Sequence, residues 1–298
     1  MTIEAGMGSE IGGGYPAAGA PAGEPGPGQT AFVLGGGGSL GAVQAGMLYA
    51  LFEAGIRPDF IVGTSIGSLN GAYLSGHFDL QGIESLSELW SSVRRPDVFR
   101  INVRSLLGGV VGYRDHLFDE LGLRALIDRA ELGFDRLEQA PVPVHAVATD
   151  ILSGSSVVLS NGDTTQALLA SAAIPGVFPP VAVGDWLLVD GGVLANLPVL
   201  QAMELGATRL YVLPTTAGGI ATVPSGAIDM MQRSMMITTG ALDRGALARA
   251  AASVEVHILP LPMTQVSMFD FGQTSVLVEG AYLSTAAWLH ESEYELVS

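Results

Sequence analysis

Near the start of the chain, two short apolar runs each pass through a glycine-bearing turn straight into a run of helical spacing. The first is AFVL (31–34), then GGGGSLG (35–41), inside a stretch whose helical part is LGAVQAGMLYALFEAG (40–55). The second is DFIVG (59–63), followed almost at once by SIGSLNGAYLSG (65–76). Strands that enter helices this abruptly form βα units. Successive βα units build a mostly parallel sheet with helices on its faces. Further strand-like runs follow at VHAVATD (144–150), SSVVLS (155–160), WLLVD (186–190), TRLYVLP (208–214) and SVEVHILPL (253–261). One long helix is predicted over 227–252. The expected class is therefore α/β.

Residues 1–29 lack Lys and Arg and are rich in Gly, Pro and Ala, so they cannot bury a core and read as a disordered tail. The missing cationic start also argues against a secretory signal. Residues 30–298 read as a single domain. Its segment 77–140 holds most of the arginines and several amphipathic runs, and reads as a helical insertion or cap. Residues 31–51 carry no charge, but five glycines among 35–41 suit a buried strand, turn and helix better than a spanning helix.

Charge narrows the partners. Lys+Arg number 13 against 29 Asp+Glu, for a net charge of −16, and none of the cations is a lysine. Nucleic acid and anionic lipid are disfavoured; membrane contact, where it occurs, has to be apolar and transient. Cysteine is absent, which removes thiolate metal sites and a cysteine nucleophile. The expected location is cytoplasmic or peripheral to a membrane.

Gly63-Thr-Ser65-Ile-Gly67 is a G-x-S-x-G between a strand and a helix. A serine there sits on a sharp, strained turn with its hydroxyl exposed, at the positive end of a helix dipole. A serine nucleophile needs a base. His145 and His257 lie in strand patterns, His77 ends the elbow helix, His116 is in the insertion, and His290 is in an acidic tail. None is a good candidate. Asp190 is one: it closes the apolar run WLLVD and precedes Gly191 and Gly192. Strand ends are where sites gather in α/β sheets, and an Asp in an apolar setting can have a raised pKa and accept the serine proton. Asp150 reads as a turn organiser.

The glycine loop has three readings. As a dinucleotide fingerprint it lacks an acidic residue closing the second strand. As a Walker A loop it lacks the lysine. An oxyanion hole built from backbone N–H groups fits best.

Taken together, GGGSLG (36–41), GTSIG (63–67) and DGG (190–192) resemble the patatin-like phospholipase family. VATDILSGSSVV (147–158), ASAAIPGVFPPV (170–181) and DGGVLANLP (190–198) extend the resemblance, which runs from about residue 30 to 215 and more faintly to 260. It implies a three-layer α/β/α sandwich with a Ser–Asp dyad and no histidine. Ser65 would be the nucleophile and Asp190 the base. Gly36, Gly37 and Gly38 would form the oxyanion hole, and Gly41, Gly63, Gly67, Gly191 and Gly192 would be motif glycines. The implied reaction is hydrolysis of a lipid or other acyl ester through an acyl-serine, with neither metal nor cofactor. Acyl transfer by the same dyad and non-catalytic lipid binding are the alternatives. The family often has Arg or Lys where this chain has Leu40, which weakens the case for a phospholipid headgroup. Ser171, Pro175, Phe178, Pro179 and Pro180 are candidates for an acyl pocket, with core packing favoured for most of them. Met230, Met231, Met235 and Met236 stand at helical spacing; core is favoured over a lipid-contacting face.

Overall fold

A computed structural model of the chain describes residues 28–99, 115–216, 226–262 and 266–297. The predicted tail, except for its last two residues, lies outside the described residues, as do residues 100–114 of the predicted insertion.

The strands are β1 (Thr30–Leu34), β2 (Phe60–Thr64), β3 (Val144–Asp150), β4 (Ser155–Leu159), β5 (Val181–Val183), β6 (Trp186–Asp190), β7 (Arg209–Leu213) and β8 (Glu255–Ile258). They form one sheet in the order β5-β6-β3-β2-β1-β7-β8, with β4 paired to β3. β1, β2, β3, β7 and β8 run parallel; β4 and β6 are antiparallel to β3, and β5 is antiparallel to β6. β5 was not predicted: it arises where the proline-rich segment returns beside β6.

The helices are α1 (Ala42–Glu53), α2 (Ile66–Gly76), α3 (Leu80–Ser92), α4 (Arg95–Val98), α5 (Leu121–Arg129), α6 (Thr164–Ser171), α7 (Val199–Glu204), α8 (Ala227–Ala251) and α9 (Thr274–Val297). The central strands are mostly apolar because both faces of the sheet are covered. Phe32, Leu34 and Ile61 point into a core shared with Leu48 of α1, Leu74 of α2, Leu86 of α3 and Leu277 of α9. Ala31, Val33, Val62 and Val212 point the other way, onto Val199 and Ala202 of α7 and Ala250 of α8. The result is a mostly parallel sheet between two helical layers, the predicted α/β/α sandwich. The expected acidic tail around His290 is instead part of α9, which docks along α1 through the buried Leu277 and Ala281.

Sheet register brings two distant strand ends together. Thr64, the last residue of β2, pairs with Val147 of β3. The next residue of β3, Ala148, pairs with Asp190, the last residue of β6. β2 and β6 run in opposite directions, so they end facing each other along β3. Ser65 and Asp190 follow from that meeting.

Candidate active site

Ser65 carries φ 54° and ψ −126°, a left-handed conformation that a serine rarely adopts. Such strain costs on the order of 1–3 kcal/mol and persists only where the surroundings enforce it. Here they do. The Ser65 N–H donates to Ser171 Oγ at 2.9 Å, and the Ser171 hydroxyl donates to the Val147 carbonyl at 2.6 Å. The Ser65 carbonyl accepts from the Ser68 N–H at 2.9 Å and from Ser68 Oγ at 2.6 Å, opening α2. A Cβ on Gly67 would fall on the Leu34 carbonyl, so only glycine lets α2 pass this close to the end of β1.

The Ser65 hydroxyl stands at the Asp190 carboxylate and favours its ionised form. Asp190 is buried, and its Oδ1 also accepts the Gly192 N–H at 2.7 Å. Burial pushes its carboxyl up to about 6, while the Ser65 hydroxyl and the Gly192 N–H restrain the rise. None of the five histidines lines the cavity around Ser65. His145, for example, bonds Ser160 at 2.8 Å, and burial pushes its pKa down to about 4.

The glycine loop is braced on several sides. Gln44 of α1 donates to the carbonyls of Gly35 (2.8 Å) and Leu213 (3.0 Å), and accepts from Asn70 of α2 at 2.8 Å. Trp90 of α3 completes this buried chain by donating to Asn70 at 3.1 Å. Thr215 Oγ1 donates to the Gly36 carbonyl. Gly38 has φ 58°, and its Cβ position lies 2.6 Å from the Met268 carbonyl, so the loop demands glycine there. The Gly36 amide is already committed to the Asn196 carbonyl at 3.2 Å, which removes Gly36 from the expected oxyanion donors. No hydrogen bond among the described residues uses the amides of Gly37 and Gly38.

These groups open onto a cavity of about 500 Å³. Its base includes Gly37, Gly38, Ser65, Asp190 and Asn196, and α8 walls it through Arg233, Met235, Met236 and Arg244. The methionines are thus not core, contrary to expectation. Met235 and Met236 line the cavity, while Met230 and Met231 are 54% and 72% exposed. α8 thus flanks the cleft with one set of its apolar side chains and exposes another. Of the segment 170–181, Ile174 lines the cavity. Ser171 is buried beneath the elbow, and Phe178 stacks on Phe99 in the core with ring centroids 5.6 Å apart. Leu40 is buried in the main core. Asp150 does organise its turn, accepting from the N–H groups of Leu152, Ser153 and Leu187.

Two residues at the site were not singled out from sequence. Asn196 lies in the DGGVLANLP segment, where its neighbours carried the signal. Asp243, buried on α8, accepts the Leu197 N–H at 3.0 Å, and the neighbouring Asn196 amides favour its charged form. Nothing near it in sequence marks it.

A family profile described as Patatin-like phospholipase matches residues 32–203. An uncharacterized NTE family protein of Mycobacterium bovis is 33% identical over 180 residues, covering 60% of this chain and 47% of the relative. Patatin-like phospholipase domain-containing protein 7 of Rattus norvegicus is also 33% identical over 180 residues, covering 59% and 13%. Lysophospholipase NTE1 of Lodderomyces elongisporus is 30% identical over 181 residues, covering 61% and 12%. The chain therefore spans less than half the length of these relatives. In fold it is similar to VipD from Legionella pneumophila, with TM-score 0.50 at 13% identity, covering 90% of this chain and 68% of that one. The profile spans more than half of the sequence, from β1 through both strand ends that meet at the site, and by that match the chain belongs to the patatin-like phospholipase family.

Proposed function

We propose that this protein is a serine lipid acyl hydrolase, of phospholipase A, lysophospholipase or carboxylesterase type, working through a Ser65–Asp190 dyad. One observation carries the reading: a buried carboxylate next to the hydroxyl of a serine on a strained strand-to-helix turn, beside two uncommitted backbone amides in a largely apolar cleft. A carboxyl pushed up to about 6 is still mostly ionised at neutral pH, yet basic enough to take a hydroxyl proton. Asp190 accepts the Ser65 proton as Oγ attacks the ester carbonyl. The Gly37 and Gly38 amides receive the oxyanion, each worth roughly 3–4 kcal/mol by the behaviour of such donors elsewhere. The alcohol leaves with the proton, and water then releases the fatty acid. Lysophospholipid is a natural first substrate to try, since one relative is named a lysophospholipase.

A long-chain alkyl fluorophosphonate, followed by intact mass and peptide mapping, tests this. One adduct on Ser65, absent in Ser65→Ala, is expected. Asp190→Asn is expected to lower ester turnover by at least roughly 100-fold. Absence of any adduct, with and without detergent or vesicles, would overturn the hydrolase reading; an Asp190→Asn enzyme with most of its activity would overturn the dyad.

A further inference from the structure

We propose that Asn196 positions the water that hydrolyses the acyl-enzyme, and that Asp243 is the positioning residue that holds Asn196 for this task. The inference rests on the hydrolase reading above and concerns its second half-reaction.

The geometry has two parts. Asn196 is backed by Asp243: the carboxylate accepts the Leu197 N–H and lies against the Asn196 amides, which favour its charged form. A carboxylate offers only acceptors, so it must face the Asn196 nitrogen. Asn196 Oδ1 is then turned to the other side, into the cleft. That oxygen stands beside both members of the dyad. The Cβ position of Gly36 lies 2.7 Å from Asn196 Oδ1 and 3.1 Å from Ser65 Cβ. The Cβ position of Gly192 lies 3.4 Å from Asn196 Oδ1 and 2.9 Å from Asp190 Oδ1. Two acceptor oxygens therefore converge next to the nucleophile, one of them a base and the other a neutral amide.

The two half-reactions need different things. Acylation moves a proton from Ser65 to Asp190, and those groups already stand next to each other. Deacylation must orient a free water that has two protons and few polar partners in a cleft walled by Ile174, Met235 and Met236. Asp190 can accept one proton. Asn196 Oδ1 accepts the other, which leaves a lone pair aimed at the acyl carbon. The water oxygen then bonds to that carbon while its proton passes to Asp190. The oxyanion rests on the Gly37 and Gly38 amides, the carbon–Oγ bond breaks, and Asp190 returns the proton to Ser65. The fatty acid leaves as the carboxylic acid. A polar residue locked by a buried carboxylate on another element is the arrangement such orientation needs, because small misplacements of a reacting group are expensive.

The test compares wild type, Asn196→Ala and Asp243→Asn with p-nitrophenyl octanoate in stopped flow, together with fluorophosphonate labelling, which needs no water. For Asn196→Ala the expected result is a nitrophenolate burst of about one equivalent, then a steady state slowed by roughly 100-fold. Octanoyl-Ser65 should accumulate in the intact mass, and labelling should stay within a few-fold of wild type. Asp243→Asn keeps an acceptor oxygen for the Leu197 N–H, and should show the same split with a smaller steady-state loss. It also serves as the deciding variant if Asn196→Ala does not fold. Equal slowing of burst, labelling and steady state would make Asn196 a structural support of the glycine loop and overturn the proposal. Wild type that never labels at Ser65 would instead overturn the hydrolase reading beneath it.

Discussion

Asp190, the proposed base, sets a cost in stability against its proposed role. Its carboxyl titrates near 6 in the fold, against an ordinary value of 3.8. Between these values the native state holds a proton that the unfolded chain has released, so this group's contribution to stability falls as pH rises from about 4 to about 6. Asp190→Asn removes the buried charge. It should raise stability at pH 7 by on the order of 1–3 kcal/mol and change it little at pH 4, as read from denaturant midpoints at the two pH values. On the proposed mechanism activity runs the opposite way: kcat/KM should rise with pH through about 6 and level off above it, because only an ionised carboxyl can serve as the base. A flat profile across that range would assign the base elsewhere.

At the scale of elements, the elbow is held by α6, an element with no chemistry of its own. Ser171, its last residue, takes the Ser65 amide and donates to Val147 of β3, linking the Ser65 backbone to the strand that also aligns Asp190. Ser171→Ala leaves the buried Ser65 N–H without this acceptor, a loss of about 1–3 kcal/mol in stability. Because the lost bond restrains the strained turn, labelling of Ser65 by fluorophosphonate should slow along with it. Thermal melts and labelling rates on one preparation check both; an unchanged labelling rate would mean that the glycines and α2 hold the turn by themselves.

For the whole molecule, charge and exposed apolar surface act together. The chain carries a net charge of −16. Met230, Met231 and Ile237 are exposed on the same helix whose Met235 and Met236 line the cleft. No helix among the described residues is long and apolar enough to cross a membrane. Adsorption to phosphatidylcholine vesicles should therefore exceed adsorption to phosphatidylglycerol vesicles. Adsorption to the latter should rise with salt, as the screening length drops from roughly 30 Å at 0.01 M to roughly 3 Å at 1 M. Co-sedimentation with each vesicle type measures this; tighter binding to the anionic vesicles at low salt would refute it.

The sequence by itself determined what local rules govern. β3 and β6 fall on the predicted residues because apolar runs with polar or glycine ends leave few other registers. The elbow is legible because Gly63, Ser65 and Gly67 are dictated by one tight turn. Only the tertiary structure decided what depends on contacts between distant segments. The Gly36 amide is spent on Asn196, a partner that no local pattern names. Met235 and Met236 of α8 face the cleft while Met230 and Met231 are exposed, and a helical repeat of apolar residues does not say what it will face. α9 is helical where the sequence read as an acidic tail, because packing along α1 rather than local signal fixes it. Asp243 reaches Asn196 only because α8 crosses the far face of the sheet beneath the loop that follows β6. Burial and proximity are properties of the whole packing, and so the second carboxylate of the site stayed silent in the sequence.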